Sequence, residues 1–90
     1  MKHLNPFIEQ LVIQKMNRLT SEELYKYAEQ YDIAVTKQQT ANIARRVQNQ
    51  NINPFQPQGQ KRLRKILDEE IGATLAARLE QQFEQLAKNL

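Results

Sequence analysis

Side chains able to make or break bonds are scarce in this chain of 90 residues, which has one histidine, one serine and no cysteine. His3 stands at an end expected to fray, and it reads as a solvent-exposed imidazole, not a metal ligand or general base. Ser21 falls in the first turn of an expected helix, with no imidazole or lysine beside it to take its proton. Glu22 and Glu23, and the run Asp68, Glu69 and Glu70, are contiguous. On a helix such carboxylates splay around the axis and do not converge as an acid–base pair must. No Gly-rich phosphate loop and no metal-ligand spacing occurs. The expectation is a protein that is not an enzyme and takes no cofactor and no metal.

Charge offers a second kind of chemistry. The formal net charge is +3, but the segment 33–67 contains no Asp or Glu and carries Lys37, Arg45, Arg46, Lys61, Arg62, Arg64 and Lys65, while the remainder is net −4. These seven cations are the candidate contacts for an anionic partner, whether DNA, RNA or an acidic protein. Each also has a plainer reading: a solvated helix face, or attraction between the two halves of one molecule or of two copies.

The elements that must position these groups are legible from caps and spacing. Thr20 with Glu23, and again Thr36 with Gln39, set a hydroxyl three residues ahead of a side-chain acceptor, the pattern that satisfies the orphan amides of a helix's first turn. Behind the first cap Leu24, Tyr27, Ala28 and Tyr31 recur at helical spacing. Behind the second come Thr40, Ile43, Ala44 and Val47. Between them Asp32 breaks the helix, and Ile33 and Val35 should point inward from an extended link. Leu19 precedes the first cap and can pack on Leu24 as a hydrophobic staple.

Upstream, Asn5 and Pro6 read as an N-cap and a proline at the first helical position. Leu4, Phe7, Ile8, Leu11, Val12, Met16 and Leu19 then supply a broad stripe expected to be buried. Downstream, residues 48–60 hold eight amide side chains, two prolines, one glycine and no charge. That composition predicts a connecting loop pinned by Ile52 and Phe55, with at most a single turn after Pro54. Finally, Leu63, Ile66, Leu67 and Ile71 form one stripe and Leu75, Leu79, Phe83, Leu86 and Leu90 another, out of phase with the first. Gly72 lies at the join, so a helix break there brings both stripes onto one core. One oddity accompanies that break: bases at the start of the helix and acids at its end both oppose the macrodipole.

The fold class expected is all-α: one domain over residues 1–90, a compact bundle of four to five helices at about 6–18, 21–31, 37–48, 60–71 and 74–88, with an Asn/Gln/Pro-rich loop over 49–59. A domain this small buries only about 60 to 65 per cent of its unfolded surface, so every amphipathic face has to be used. The N-terminus lacks the apolar core of a signal peptide. No window approaches the roughly 18 apolar residues of a membrane span, so no membrane partner is expected. With no disulfide framework, a cytoplasmic setting is expected.

Leu19, Thr20, Glu22, Glu23, Leu24, Tyr27, Ala28, Tyr31, Ile33, Thr36, Gln39, Ile43 and Ala44, followed by Asn51, Asn53 and Phe55, make a pattern that resembles a family of short uncharacterised proteins from bacilli and related Gram-positive bacteria. The resemblance implies no known activity, and Asp32 stands where a glycine is expected. Leu24, Ala28, Asp32 and Ile33 also resemble, more loosely, the SAP-type helix–extended loop–helix modules that bind DNA. Two functions follow. One is a helical interaction module that binds another protein or forms a homo-oligomer through Leu75, Leu79, Phe83, Leu86 and Leu90. The other is nucleic-acid binding through the basic segment.

Overall fold

The computed structural model of the chain describes residues 6–88, with side chains described as far as Gln85. Five helices follow one another: α1 (Pro6–Asn17), α2 (Ser21–Gln30), α3 (Lys37–Val47), α4 (Pro57–Ile71) and α5 (Ala73–Lys88). No strand occurs among the described residues, and the architecture is the expected all-α bundle. Its radius of gyration, 12.4 Å, is close to the value of about 12 Å that scaling gives for a compact chain of this length.

Both expected capping boxes are present. Thr20 Oγ1 accepts from the Glu23 amide at 3.1 Å, and Glu23 Oε1 accepts in return from the Thr20 amide at 3.3 Å. At Thr36 the two reciprocal bonds with Gln39 measure 3.0 and 2.9 Å. The helix between these caps ends at a left-handed residue. Asp32 has φ 56°, and around it the Ile33 amide donates to the Ala28 carbonyl while the Asp32 amide donates to that of Glu29. This is the double bond pattern of a Schellman cap, which glycine normally occupies. Aspartate tolerates the conformation better than most residues. Ile33 is thereby turned into the core at 4 % exposure, and Val35 packs beside it.

The fourth helix starts earlier than its apolar stripe implies, at Pro57 instead of residue 60, so the loop spans 48–56. Pro57 was expected only to stop a helix begun at Pro54. It instead occupies the first helical position, where no amide is needed. The turn at Pro54 is real: Asn53 Oδ1 accepts from the Phe55 amide at 2.9 Å, and the Asn53 carbonyl accepts from the Gln56 amide. Gly59 then passes so close to this turn that a methyl group on its Cα would lie on the Asn53 carbonyl, 2.6 Å from the carbon. Only glycine lets the first turn of α4 cross there.

The break at Gly72 is present, with α4 ending at Ile71 and α5 starting one residue later. Gly72 has φ 84° and ψ 159°, a region open essentially to glycine alone. Its amide still donates to the Asp68 carbonyl, and its own carbonyl accepts from Ala76, so the turn loses few backbone bonds. The re-phased stripes then meet as expected: Ile66, Leu67, Ile71, Ala76 and Leu79 join Leu24, Ala28, Ile43 and Val47 in one buried cluster. Thr40, 1 % exposed, takes an apolar position by turning its hydroxyl back to the Lys37 carbonyl at 2.8 Å.

The first helix departs from expectation. None of its residues is buried, and Phe7 and Leu11 are 70 % and 51 % exposed. Its apolar side chains are spread around about two-thirds of the helix circumference instead of forming one stripe, so no single face collects them all. Only Met16, with Leu19 just beyond, packs on the core. The helix is held instead by polar bonds to the amide-rich loop. Asn17 pairs with Asn51 through two bonds, the Asn49 amide donates to the Asn17 carbonyl, and Asn53 Nδ2 donates to Glu9 Oε1 at 2.6 Å. Gln48 Nε2 reaches the Leu19 carbonyl. Leu4 and the Asn5 cap lie outside the described residues, as does His3.

Candidate functional site

The cations expected to meet an anionic partner do not act as one set. Arg46 lies between α3 and α4, its guanidinium held by Glu69 Oε1 at 2.6 Å and Glu70 Oε2 at 3.0 Å. These two carboxylates, Glu69 first, raise its pKa further, and Arg46 in turn holds Glu69 below its ordinary value. Arg64 faces the other way. It bonds Asp68 one turn along α4 at 2.7 Å, then Glu80 of α5 at 3.1 Å, bridging the bend at Gly72. Glu69 and Glu70, acids that oppose the α4 macrodipole, thus fasten α4 to α3, while the base Arg64 fastens α4 to α5, contacts that the sequence spacing did not reveal.

The remaining five cations make no ion pair among the described residues, although Lys65 lies near enough to Glu69 to help hold its pKa down. Arg45 bonds Asn42 on its own helix at 2.7 Å, and Lys37 lies 5.7 Å from the centre of the Tyr25 ring. Arg62 donates to Gln50 Oε1. Lys61, Arg62 and Lys65 are exposed near the start of α4.

A well-developed concavity lies elsewhere. A cavity of about 530 Å³ runs between the helices, and sequence reasoning missed it because its lining residues read individually as core. Lys15 and Met16 of α1, followed by Leu19, form one edge; Glu23, Leu24 and Tyr27 of α2 continue it. Leu63 and Leu67 of α4 stand opposite, with Pro54 and Phe55 from the loop, and Ile43 and Val47 of α3 close the base. Leu79, Glu80, Phe83 and Glu84 complete the wall on α5. The lining is almost wholly apolar. Charge is confined to Lys15, Glu23, Glu80 and Glu84, and the groove reaches solvent where Lys15, Gln60 and Glu84 are exposed.

Three features define this groove. Phe55 and Phe83 set their rings 6.0 Å apart, carrying the loop onto α5. Lys15 pairs with Glu23, and that ammonium, followed by the Thr20 hydroxyl, holds the Glu23 carboxyl below its ordinary value. Tyr27 lies 4.9 Å from Tyr31, and its hydroxyl is buried with no hydrogen-bond partner among the described residues. Burial, and then the neighbouring Tyr31, push the Tyr27 phenol above its ordinary pKa.

Of the five residues expected to mediate self-association, Leu79 is buried, Leu75 packs against the core and Phe83 lines the groove half-buried. Leu90 and the side chain of Leu86 lie outside the described residues. No helix among the described residues is long and apolar enough to cross a membrane, and no group of acidic or imidazole side chains among them could hold a metal ion.

Comparison with known proteins agrees with the residue pattern. Uncharacterized protein YqfT of Bacillus subtilis (strain 168) is 27 % identical over 77 residues, covering 86 % of this chain and 92 % of its own. No solved structure matches. The family described as "Protein of unknown function (DUF2624)" matches residues 4–87, from the start of α1 almost to the end of α5, and the chain belongs to that family.

Proposed function

We propose that this protein is a helical interaction module whose groove receives the apolar face of a partner helix. The observation that carries this reading is the cavity of about 530 Å³, left open at the centre of a 90-residue chain. A domain of this size has little apolar surface to spare, so an unfilled apolar groove is costly unless something occupies it. Its almost wholly apolar lining and its sparse charged rim suit an amphipathic helix with anchors one turn apart. The reading is of binding without catalysis, in a reducing compartment where a cysteine-free chain needs nothing from its surroundings.

Titration of the isotope-labelled chain with amphipathic helical peptides, followed by amide chemical shifts, tests it. The amides of Leu63, Leu67 and Phe83 should move, and a basic peptide should bind more tightly than an acidic one because Glu84 is left without an ion pair among the described residues while Glu23 is held by Lys15 and Glu80 by Arg64. Silence of the groove amides toward both peptides overturns the reading.

Nucleic-acid binding is supported by the exposure of Lys61, Arg62 and Lys65 on one short stretch of α4. Arg46 and Arg64 are already engaged by carboxylates, so the expected footprint is small. Retention on DNA or RNA should fall with salt at a log–log slope of roughly −3. No retention at low salt excludes it.

A further inference from the structure

We infer that the joint at Gly72 is a hinge through which two copies of this chain exchange α5. In the exchanged form α4, Gly72 and α5 run on as one helix, and the α5 of each copy packs on the α4 of the other.

The bend rests on a single residue. Gly72, Ala73 and Thr74 are exposed, and a methyl group built on Gly72 would meet no atom within 4 Å, so nothing packs against the outside of the turn. The Gly72 amide bonds the Asp68 carbonyl and the Gly72 carbonyl takes the Ala76 amide, each four residues apart as in an unbroken helix. A helix running through Gly72 therefore keeps both bonds. It also brings the amides of Ala73, Thr74 and Leu75, which α5 by itself cannot pair, to the carbonyls of Glu69, Glu70 and Ile71.

Charge and pattern favour the same state. The last turn of α4 holds no base and ends on Asp68, Glu69 and Glu70, while the first turn of α5 holds no acid. Both ends that face the break thus lack the charges that stabilise helix termini, and in a continuous helix the acids no longer oppose a negative pole. On such a helix the stripe of Leu63, Ile66, Leu67 and Ile71 is out of phase with that of Leu75, Leu79 and Phe83, so the two face different directions. One extended chain cannot bury both on a single core; two chains can, each covering the other.

The contacts to be exchanged are separable from the rest. The α2 helix packs on α3 and α3 on α4 without α5. Arg64 meets Glu80 across the bend at 3.1 Å, but on a continuous helix these residues, 16 apart in sequence, stand about 24 Å from each other. In the exchanged dimer Arg64 pairs with Glu80 of the other copy, which also supplies the Phe83 wall of the groove. Exchange of an identical element in this way recreates the contacts of the monomer and is a low-cost route to a dimer.

Sedimentation equilibrium of chain refolded at millimolar concentration should show monomer and dimer. Gly72→Ala, which favours the helical backbone angle, should tighten the dimer roughly tenfold or more. Inserting Gly-Ser-Gly after Gly72 relaxes the bend and interrupts the long helix, so that variant should stay monomeric. Exchange itself is read by Arg64→Cys with Glu80→Cys, the only thiols in a chain that otherwise has none. A short bismaleimide should join them within one chain in the monomer and between chains in the dimer. A wild-type chain that stays monomeric after such refolding overturns the inference, as does a dimer crosslinked only within its chains or one indifferent to the insertion. Should Gly72→Ala fail to fold, the wild-type dimer, its crosslink and the insertion variant decide alone.

Discussion

Asn17 and Asn51 join across 34 residues of chain by a two-point contact: the Asn17 amide group donates to Asn51 Oδ1 at 2.6 Å while Asn17 Oδ1 accepts from the Asn51 backbone amide at 2.8 Å. Asn51 itself is held at φ 53°, a conformation asparagine tolerates better than most residues. With so little of α1 in the core, this contact is a main fastening of the helix to the bundle. Asn17→Ala should lower stability by only about 1 kcal/mol in urea unfolding. Hydrogen exchange should nonetheless accelerate throughout α1 while the amides of α3 keep their protection.

The Tyr27 hydroxyl is buried and unbonded, so its removal should help. Tyr27→Phe is expected to raise stability by about 1 kcal/mol, since the desolvation of an unsatisfied hydroxyl is relieved and the ring is kept. The pH dependence carries the same sign. Folding raises the Tyr27 pKa above its ordinary 10.0, so its contribution is complete below pH 10 and is lost as pH climbs through the folded-state value. Thermal unfolding from neutral to alkaline pH should show a smaller decline for Tyr27→Phe than for the wild type.

Acid should act through Glu23 and Glu69. Both carboxyls are held below their ordinary 4.5 in the folded chain, Glu23 by Lys15 and then Thr20, Glu69 by Arg46. A depressed folded-state pKa gives stabilisation that is full above 4.5 and is lost as pH falls through the folded value. Glu23→Gln and Glu69→Gln should each flatten the acid limb of the stability–pH curve, and high salt should shrink the difference because these groups face solvent.

Three backbone positions should respond in opposite directions to exchange of glycine. Gly59→Ala forces a methyl group onto the Asn53 peptide, and Gly72→Ala must hold φ 84°; each should cost about 2 kcal/mol or more. Asp32→Gly frees a left-handed residue from side-chain strain and should gain about 0.5 to 1 kcal/mol, read by the urea midpoint.

Local chemistry was the legible part of this chain. Thr20, Thr36 and the glycine at 72 announce helix ends because their bonds and backbone angles are settled within four or five residues. The start of α4 was misjudged because proline is both a helix stopper and a favoured first residue, and the sequence around Pro57 does not choose between them. The partners of Arg46 lie 23 and 24 residues away, so no spacing rule could pair them. The apolar residues of α1 show that a helix can be buried without showing that a place remains for it. The groove is hidden for the same reason: Leu63, Leu79 and Phe83 are core residues by type, and only packing decides which of them leaves a gap.

That α1 contributes no side chain to the buried cluster has an evolutionary consequence. Core residues are bound to one another by volume, so a change in one demands a matching change nearby. The outward residues of α1 carry no such debt to the interior. Relatives with the same four inner helices can therefore vary Leu11 and Gln14 without repacking the interior, and the outer surface can drift among them while the architecture stays as it is.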